Sequence, residues 1–312
     1  MTNTVQTQKM FFAMGTVNTI TVFEEAFEEA DEALSAAKER VKELDRRLSA
    51  YSHHSEISDV NSNAGISPVA VSKDTFRLIK HSVLYSQLTD GCFDVTSRPL
   101  SQLWKNTMKC GELPDRDDIF KVKSLVNYKD IILDCERRTV MLKHKGQQLD
   151  LGAVAKGYAA DEVRNLMLTY GIKNAMINFG GTVINLGQTR RIGVQKPFSP
   201  NGKSFASINI PDGKAVVSSG LYEQFRIIDG QLIHHIADIQ TGLPSDSGLI
   251  AVTLIGNCAE ELDALATAAF IMGAEQSMKL LKLRNIEALF VTDKQEIYIT
   301  EKLRNELSIV KE

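Results

Sequence analysis

The chain has little that would tie it to a membrane, a nucleic acid or a disulfide scaffold. Its four cysteines, Cys92, Cys110, Cys135 and Cys258, are scattered and form no C-x-x-C pair. That excludes a zinc ribbon or dithiol motif and points to reduced thiols in a cytoplasmic protein. No apolar run reaches the length of a membrane span. Residues 1–10 are polar, with no apolar signal region and no cysteine to carry a lipid, which again predicts a cytoplasmic protein. A net charge of -3 leaves no electrostatic case for nucleic acid. There is a single tryptophan, Trp104, expected in the core rather than as a stacking platform.

What is present is an ordinary globular balance, 43% hydrophobic and 24% charged. At 312 residues the chain is long enough for a sizeable core. Residues 1–312 are expected to form a single unit, or two tightly packed lobes with no boundary marked in the sequence.

Residues 149–178 organise the rest. They are expected to run as a strand end at Asp150, a small-residue loop, an amphipathic helix over about 156–170 and a second strand. Gly152 and Ala153 would let a ligand approach the backbone. Lys156 adds a cation where free N–H groups already favour anions. Gly180 and Gly181 bring a second bare turn nearby. A nucleotide-phosphate site and a well-packed crossover with a surface lysine fit this stretch equally.

Before it, residues 10–23 read as a strand interrupted at Gly15, a bulge or a close approach. Leu34, Ala37, Val41, Leu44 and Leu48 mark a helix over about 25–48. Residues 51–65 read as a polar loop in which His53 and His54 are surface histidines. A second helix spans about 72–88. Asp94, flanked by Phe93 and Val95, suggests a carboxylate with an assigned hydrogen-bond partner. Residues 103–129 show the least pattern and are expected to be a surface excursion. After Gly181 come short strands, with Asp229-Gly230 as a hairpin turn, and then a helix from 257 or 258 to about 273. The fold class is therefore α+β, with long helices packed on mixed, largely antiparallel sheets.

Three places carry chemistry. The first is Asp150 to Lys156. The second is HHIADIQTG, with His235, Asp238, Thr241 and Gly242. The third is AEELDALATAAFIMG, where Asp263 and Thr267 lie four apart and share a helix face. A carboxylate and a hydroxyl are hard oxygen ligands suited to Mg²⁺, which takes few protein ligands.

In this order and company the motifs resemble the FAD:protein FMN transferases, the ApbE family. The matching elements are Met14-Gly15-Thr16, the serine-rich loop over 51–61, Gly91-Cys92-Phe93-Asp94 and DLGAVAKGYAAD at 150–161. Gly180-Gly181, Ser218-Ser219-Gly220, His235-Ile236-Ala237-Asp238 with Thr241-Gly242, and Asp263-Ala264-Leu265-Ala266-Thr267 follow. The resemblance implies an ApbE-like fold with FAD in a cleft. It also implies Mg²⁺-dependent transfer of FMN from FAD to a Thr or Ser hydroxyl of an acceptor flavoprotein, with release of AMP. Asp263, Thr267 and the Ala153 carbonyl would hold the metal. Met14, Tyr51, Cys92, Phe93, Asp94, Asp150, Lys156 and Ala237 would contact FAD. His235 would be the base and Asp238 would orient it. His234, its strand neighbour, should point the other way, and its loss should be nearly silent. The sequence departs from the family at Thr182 and Lys196, where the family often has acids, and at Ile239, where it often has proline. A Mg²⁺-dependent FAD pyrophosphatase and a non-catalytic FAD-binding protein are the alternative readings.

Overall fold

A computed structural model describes residues 6–23, 27–197, 203–221 and 225–309. The chain opens with β1 (Gln6–Ala13) and β2 (Thr16–Phe23), an antiparallel pair. The interrupted strand expected over 10–23 is corrected to this hairpin. Met14 (φ 53°) and Gly15 (φ 73°) both take left-handed backbone, the conformation of a tight two-residue turn. Gly15 thus reverses the chain instead of bulging it.

Helix α1 (Phe27–Leu48) follows; its expected start at Glu25 lies outside the described residues. Leu34, Ala37, Val41 and Leu44 are fully buried, so the predicted stripe faces the core. Next come α2 (Glu56–Ser62), β3 (Val69–Ala70), α3 (Lys73–Leu88), α4 (Arg98–Cys110), α5 (Arg116–Lys123), β4 (Ile131–Asp134) and β5 (Thr139–Leu142). Two expectations are corrected here. The polar loop over 51–65 contains α2, opened by the Ser55 side chain accepting the Ser58 N–H and anchored by buried Ile57 and Val60. The surface excursion over 103–129 contains most of α4, which buries Leu100, Trp104 and Thr107. It also contains α5, which has no buried residue to betray it.

The second half runs α6 (Ala155–Thr169), β6 (Ala175–Phe179), β7 (Thr182–Leu186), β8 (Arg190–Gln195), β9 (Ser204–Ile210), β10 (Ala215–Gly220), β11 (Phe225–Ile228) and β12 (Gln231–His234). It ends with β13 (Leu249–Gly256), α7 (Ala259–Met272), α8 (Ala274–Leu283), β14 (Glu287–Thr292), β15 (Ile297–Ile299) and β16 (Leu307–Ile309). Asp150 does not end a strand as expected. It lies in irregular chain before α6, and its N–H donates to Val95 O at 3.0 Å.

Eight strands form one sheet in the order β1-β2-β6-β7-β10-β13-β14-β15. Its described ladders are all antiparallel. Helix α7 packs on β10 and β13, α6 on β7 and α7, and α1 on β1 and α6. Most buried side chains form one core around these helices and the sheet. A second, small core joins Leu100, Trp104, Val126, Ile228, Ile233 and Ala237, from α4 to the β11–β12 hairpin. No helix among the described residues is long and apolar enough to cross a membrane.

The crossing of α6 and α7 is the tightest point that bears on the site. A Cβ on Gly157 would lie 2.2 Å from Ala259 O and 2.7 Å from Glu260 N, both backbone atoms that cannot swing aside. Gly157→Ala should therefore push the two helices apart and cost about 1–3 kcal/mol. Urea denaturation checks this, and an unchanged midpoint would refute the close crossing.

Candidate functional site

A cleft of about 390 Å³ lies between the two cores. Every residue expected in the site lines it except Asp238: Met14, Tyr51, Cys92, Phe93, Asp94, Asp150, Ala153, Lys156, His235, Ala237, Asp263 and Thr267.

One wall is built from the start of α6 and the middle of α7. Asp263 is buried, with Oδ2 accepting the Gly157 N–H at 3.0 Å. Its Oδ1 is 3.8 Å from Lys156 Nζ. Burial raises the proton affinity of this carboxyl, while Lys156 and the Gly157 N–H work against the rise. Lys156 also donates to Gly152 O at 3.0 Å. One turn along α7, the Thr267 hydroxyl donates to Asp263 O at 3.5 Å. Asp263, Thr267 and the nearby Ala153 backbone thus present hard oxygen donors without a thiolate or imidazole among them.

Asp150 and Tyr51 form a linked pair at the cleft edge. Asp150 Oδ1 accepts the Gly152 N–H at 2.8 Å, and Oδ2 accepts the Tyr51 hydroxyl at 3.4 Å. The Tyr51 ring lies under the Arg98 guanidinium at 4.4 Å. Asp94 has the assigned partners that its sequence setting suggested. Oδ1 accepts from the Thr96 N–H and hydroxyl at 2.8 and 2.7 Å, and Oδ2 from the Tyr128 N–H at 2.9 Å. Burial raises its proton affinity, and these bonds oppose the rise.

The opposite wall carries the histidine motif. β12 ends at His234 and the chain then turns, so the two histidines diverge. His234 is 2% exposed, with Nε2 3.2 Å from Ser245 O and its ring edge-on to Phe270. His234 thus points away from the cleft, as expected of the strand neighbour of His235, and its packing and hydrogen bond give it a structural role. His235 faces the cleft, and its buried Nδ1 has no hydrogen-bond partner among the described residues. Burial first, and then the charges of Lys105, His234 and Lys156, lower its pKa to about 4. The expected Asp238–His235 contact is not made. Asp238 accepts from the Gln240 N–H at 2.8 Å and the Thr241 hydroxyl at 3.2 Å, which closes the turn after the motif.

Sequence reasoning missed Arg98, Lys105 and Gly157. Ser97, Ser101 and Lys105 recur at intervals of four, a helical signal hidden by treating 103–129 as irregular.

The family model described as "ApbE family" matches residues 14–290. The chain belongs to the ApbE family. A protein of Klebsiella pneumoniae named "FAD:protein FMN transferase" is 36% identical over 276 residues, covering 88% of this chain and 87% of its own. A protein of Treponema pallidum with the same name is 29% identical, covering 78% and 72%. The ApbE protein of Thermotoga maritima superposes with a TM-score of 0.87 at 30% identity, over 97% of this chain and 99% of its own. The Vibrio cholerae flavin transferase ApbE gives 0.84 at 25% identity, over 97% and 99%.

Two departures in this ApbE chain have visible surroundings. Thr182 is buried at the start of β7, its hydroxyl without a partner among the described residues. Ile239 packs on the small core, so an apolar contact anchors the turn after Asp238.

The His235 environment has a measurable sign. The folded pKa lies below the unfolded value of about 6.5, so this imidazole is neutral at pH 7 and its stability contribution falls as pH drops below that value, levelling off below about 4. An NMR titration should place the His235 midpoint near 4, and a midpoint at the ordinary value would contradict the burial argument. His234→Ala should cost roughly 2 kcal/mol in thermal or urea unfolding, from lost packing and one lost hydrogen bond.

Proposed function

We propose that this chain is an FAD:protein FMN transferase: FAD occupies the cleft, and FMN passes to a Thr or Ser hydroxyl of an acceptor flavoprotein while AMP leaves. The observation that carries this reading is the facing of two walls, Lys156 with the oxygen donors Asp263 and Thr267 on one and His235 on the other. Family membership and the names of the relatives support it.

The residues fit a magnesium ion. Among the described residues Asp263 Oδ1 has only Lys156, 3.8 Å away, as partner, and Thr267 and the Ala153 carbonyl add neutral oxygens. That is the sparse set Mg²⁺ uses alongside water and phosphate. Bound there, Mg²⁺ would supply charge neutralisation at phosphate oxygens. Lys156 adds a fixed positive charge beside the same carboxylate and helps hold the pyrophosphate. Tyr51, Met14, the turn at Cys92 to Asp94, Asp150 and Ala237 shape the rest of the FAD site.

In the reaction the acceptor hydroxyl oxygen forms a bond to the FMN-side phosphorus. The bond from that phosphorus to the bridging oxygen breaks, and the electron pair leaves on the AMP phosphate. The hydroxyl proton goes to His235, which is neutral and able to accept it at pH 7. The negative charge of the pyrophosphate offsets the lysines that depress its proton affinity. Asp238 acts through the backbone, by closing the turn that aims the histidine.

Incubation with FAD, Mg²⁺ and an acceptor, followed by denaturing electrophoresis, tests the activity. Covalent flavin fluorescence on the acceptor is the expected result. Free FMN and AMP alone would replace the reading with a pyrophosphatase, and intact FAD with a binding protein. His235→Ala should lose transfer by a factor of about 10² or more while FAD binding survives. Asp263→Ala should abolish Mg²⁺-dependent turnover, with Thr267→Ala weakening it less, since water can replace a neutral hydroxyl. Unchanged half-saturation by Mg²⁺ in Asp263→Ala would remove α7 from the site.

A further inference from the structure

Helix α4 brings groups to the cleft that the reaction described above leaves unused. Ser97, Ser101 and Lys105 are spaced by four, share one helical face and all line the cleft. The adjoining face, with Leu100 and Trp104, is sunk in the small core, which fixes the rotation of α4 with Ser97, Ser101 and Lys105 on the cleft lining.

The two lysines of the cleft differ in what surrounds them. Lys156 faces the Asp263 carboxylate. Lys105 has no carboxylate within ion-pair distance among the described residues. Its Nζ donates to the neutral Tyr51 hydroxyl at 2.7 Å and lies 5.3 Å from that ring's centroid. A phenol supplies an acceptor but no counter-charge. An ammonium that lines the cleft with no carboxylate in direct contact, Asp150 being one hydrogen bond further on through the Tyr51 hydroxyl, and with two hydroxyls on the same face, favours a phosphate oxygen. The Ser101 hydroxyl donates to Arg98 O at 3.1 Å, a helical back-bond that a rotation of the side chain releases.

We propose that Ser97, Ser101 and Lys105 form a phosphate subsite for the AMP-side phosphate of FAD, across the cleft from the Lys156–Asp263 wall. The proposal rests on the FAD reading above. When the bridging bond breaks, the electron pair and its added negative charge stay on the AMP phosphate. Lys105 neutralises that charge by position, with no proton transfer of its own. The FMN-side phosphate stays with the wall that carries Lys156.

Three flavins separate the parts of the ligand: riboflavin has no phosphate, FMN has one, and FAD adds the AMP-side phosphate with its adenosine, whose share is read from adenosine and AMP as competitors of FAD. Their affinities are to be measured by flavin fluorescence titration on the full chain, for wild type, Lys105→Met and Lys105→Arg, with thermal unfolding as the check on folding. Lys105→Met should weaken FAD by about tenfold and leave FMN and riboflavin unchanged, and Lys105→Arg should recover most of the loss. Equal losses for FAD and FMN would move Lys105 to the other phosphate and overturn the assignment. Equal losses for all three flavins would make Lys105 a support for the Tyr51 ring only. Unchanged FAD affinity in Lys105→Met overturns the subsite alone, whereas a wild-type chain that binds no FAD overturns the FAD reading and the subsite with it.

Discussion

The hydrogen bond from the Gly157 N–H to Asp263 is the constraint on which the rest of the site depends. It joins residues 106 apart in the chain, and it forms only because a residue without a side chain lets α6 meet the first turn of α7 at backbone distance. With that crossing in place, Asp263 is buried yet aimed at the cleft, Lys156 is one residue away on the same helix, and Thr267 follows one turn along α7. The eight-stranded sheet beneath acts as a rigid base, since α7 packs on β10 and β13. Positions fixed by such packing are more exact than positions on loops.

The local parts of this arrangement could be inferred from the residues. Asp263 and Thr267 share a face by helical arithmetic, the stripe of α1 gave its burial, and Asp229-Gly230 marked its hairpin. The family motifs stood in order and named the residues that the cleft gathers. What could not be inferred was long-range or masked by polarity. The role of Gly157 depends on a partner more than a hundred residues away, so no window of sequence contains it. α5 buries nothing fully, so no apolar period betrays it, and α4 was split by a boundary drawn too early. Met14-Gly15 looked like a bulge because both halves of the hairpin alternate in the same way, and only the positive φ angles distinguish a reversal from an interruption.

Charge inside the cleft is arranged by burial as much as by pairing. Asp94 and Asp263 are both pushed toward protonation by desolvation, and each is pulled back by donors placed on it. His235 is pushed the other way and, among the described residues, has no donor or acceptor to compensate at Nδ1. An imidazole left this dry is poised to respond to whatever charge enters beside it, because in low dielectric a nearby phosphate acts strongly.

Trp104 donates its indole N–H to Gly242 O at 2.9 Å, in the turn closed by Asp238. That bond ties α4 to the histidine segment; Trp104 and Ala237 share the small core, while Ile236 and the Phe270 ring against His234 belong to the large one. The histidine wall therefore bridges the two cores, whereas the α6–α7 wall stands on the large one. A substitution in the small core would therefore be felt first by the α4 face and the turn at Gly242, and would reach His235 only against the resistance of Ile236 and Phe270 in the large core.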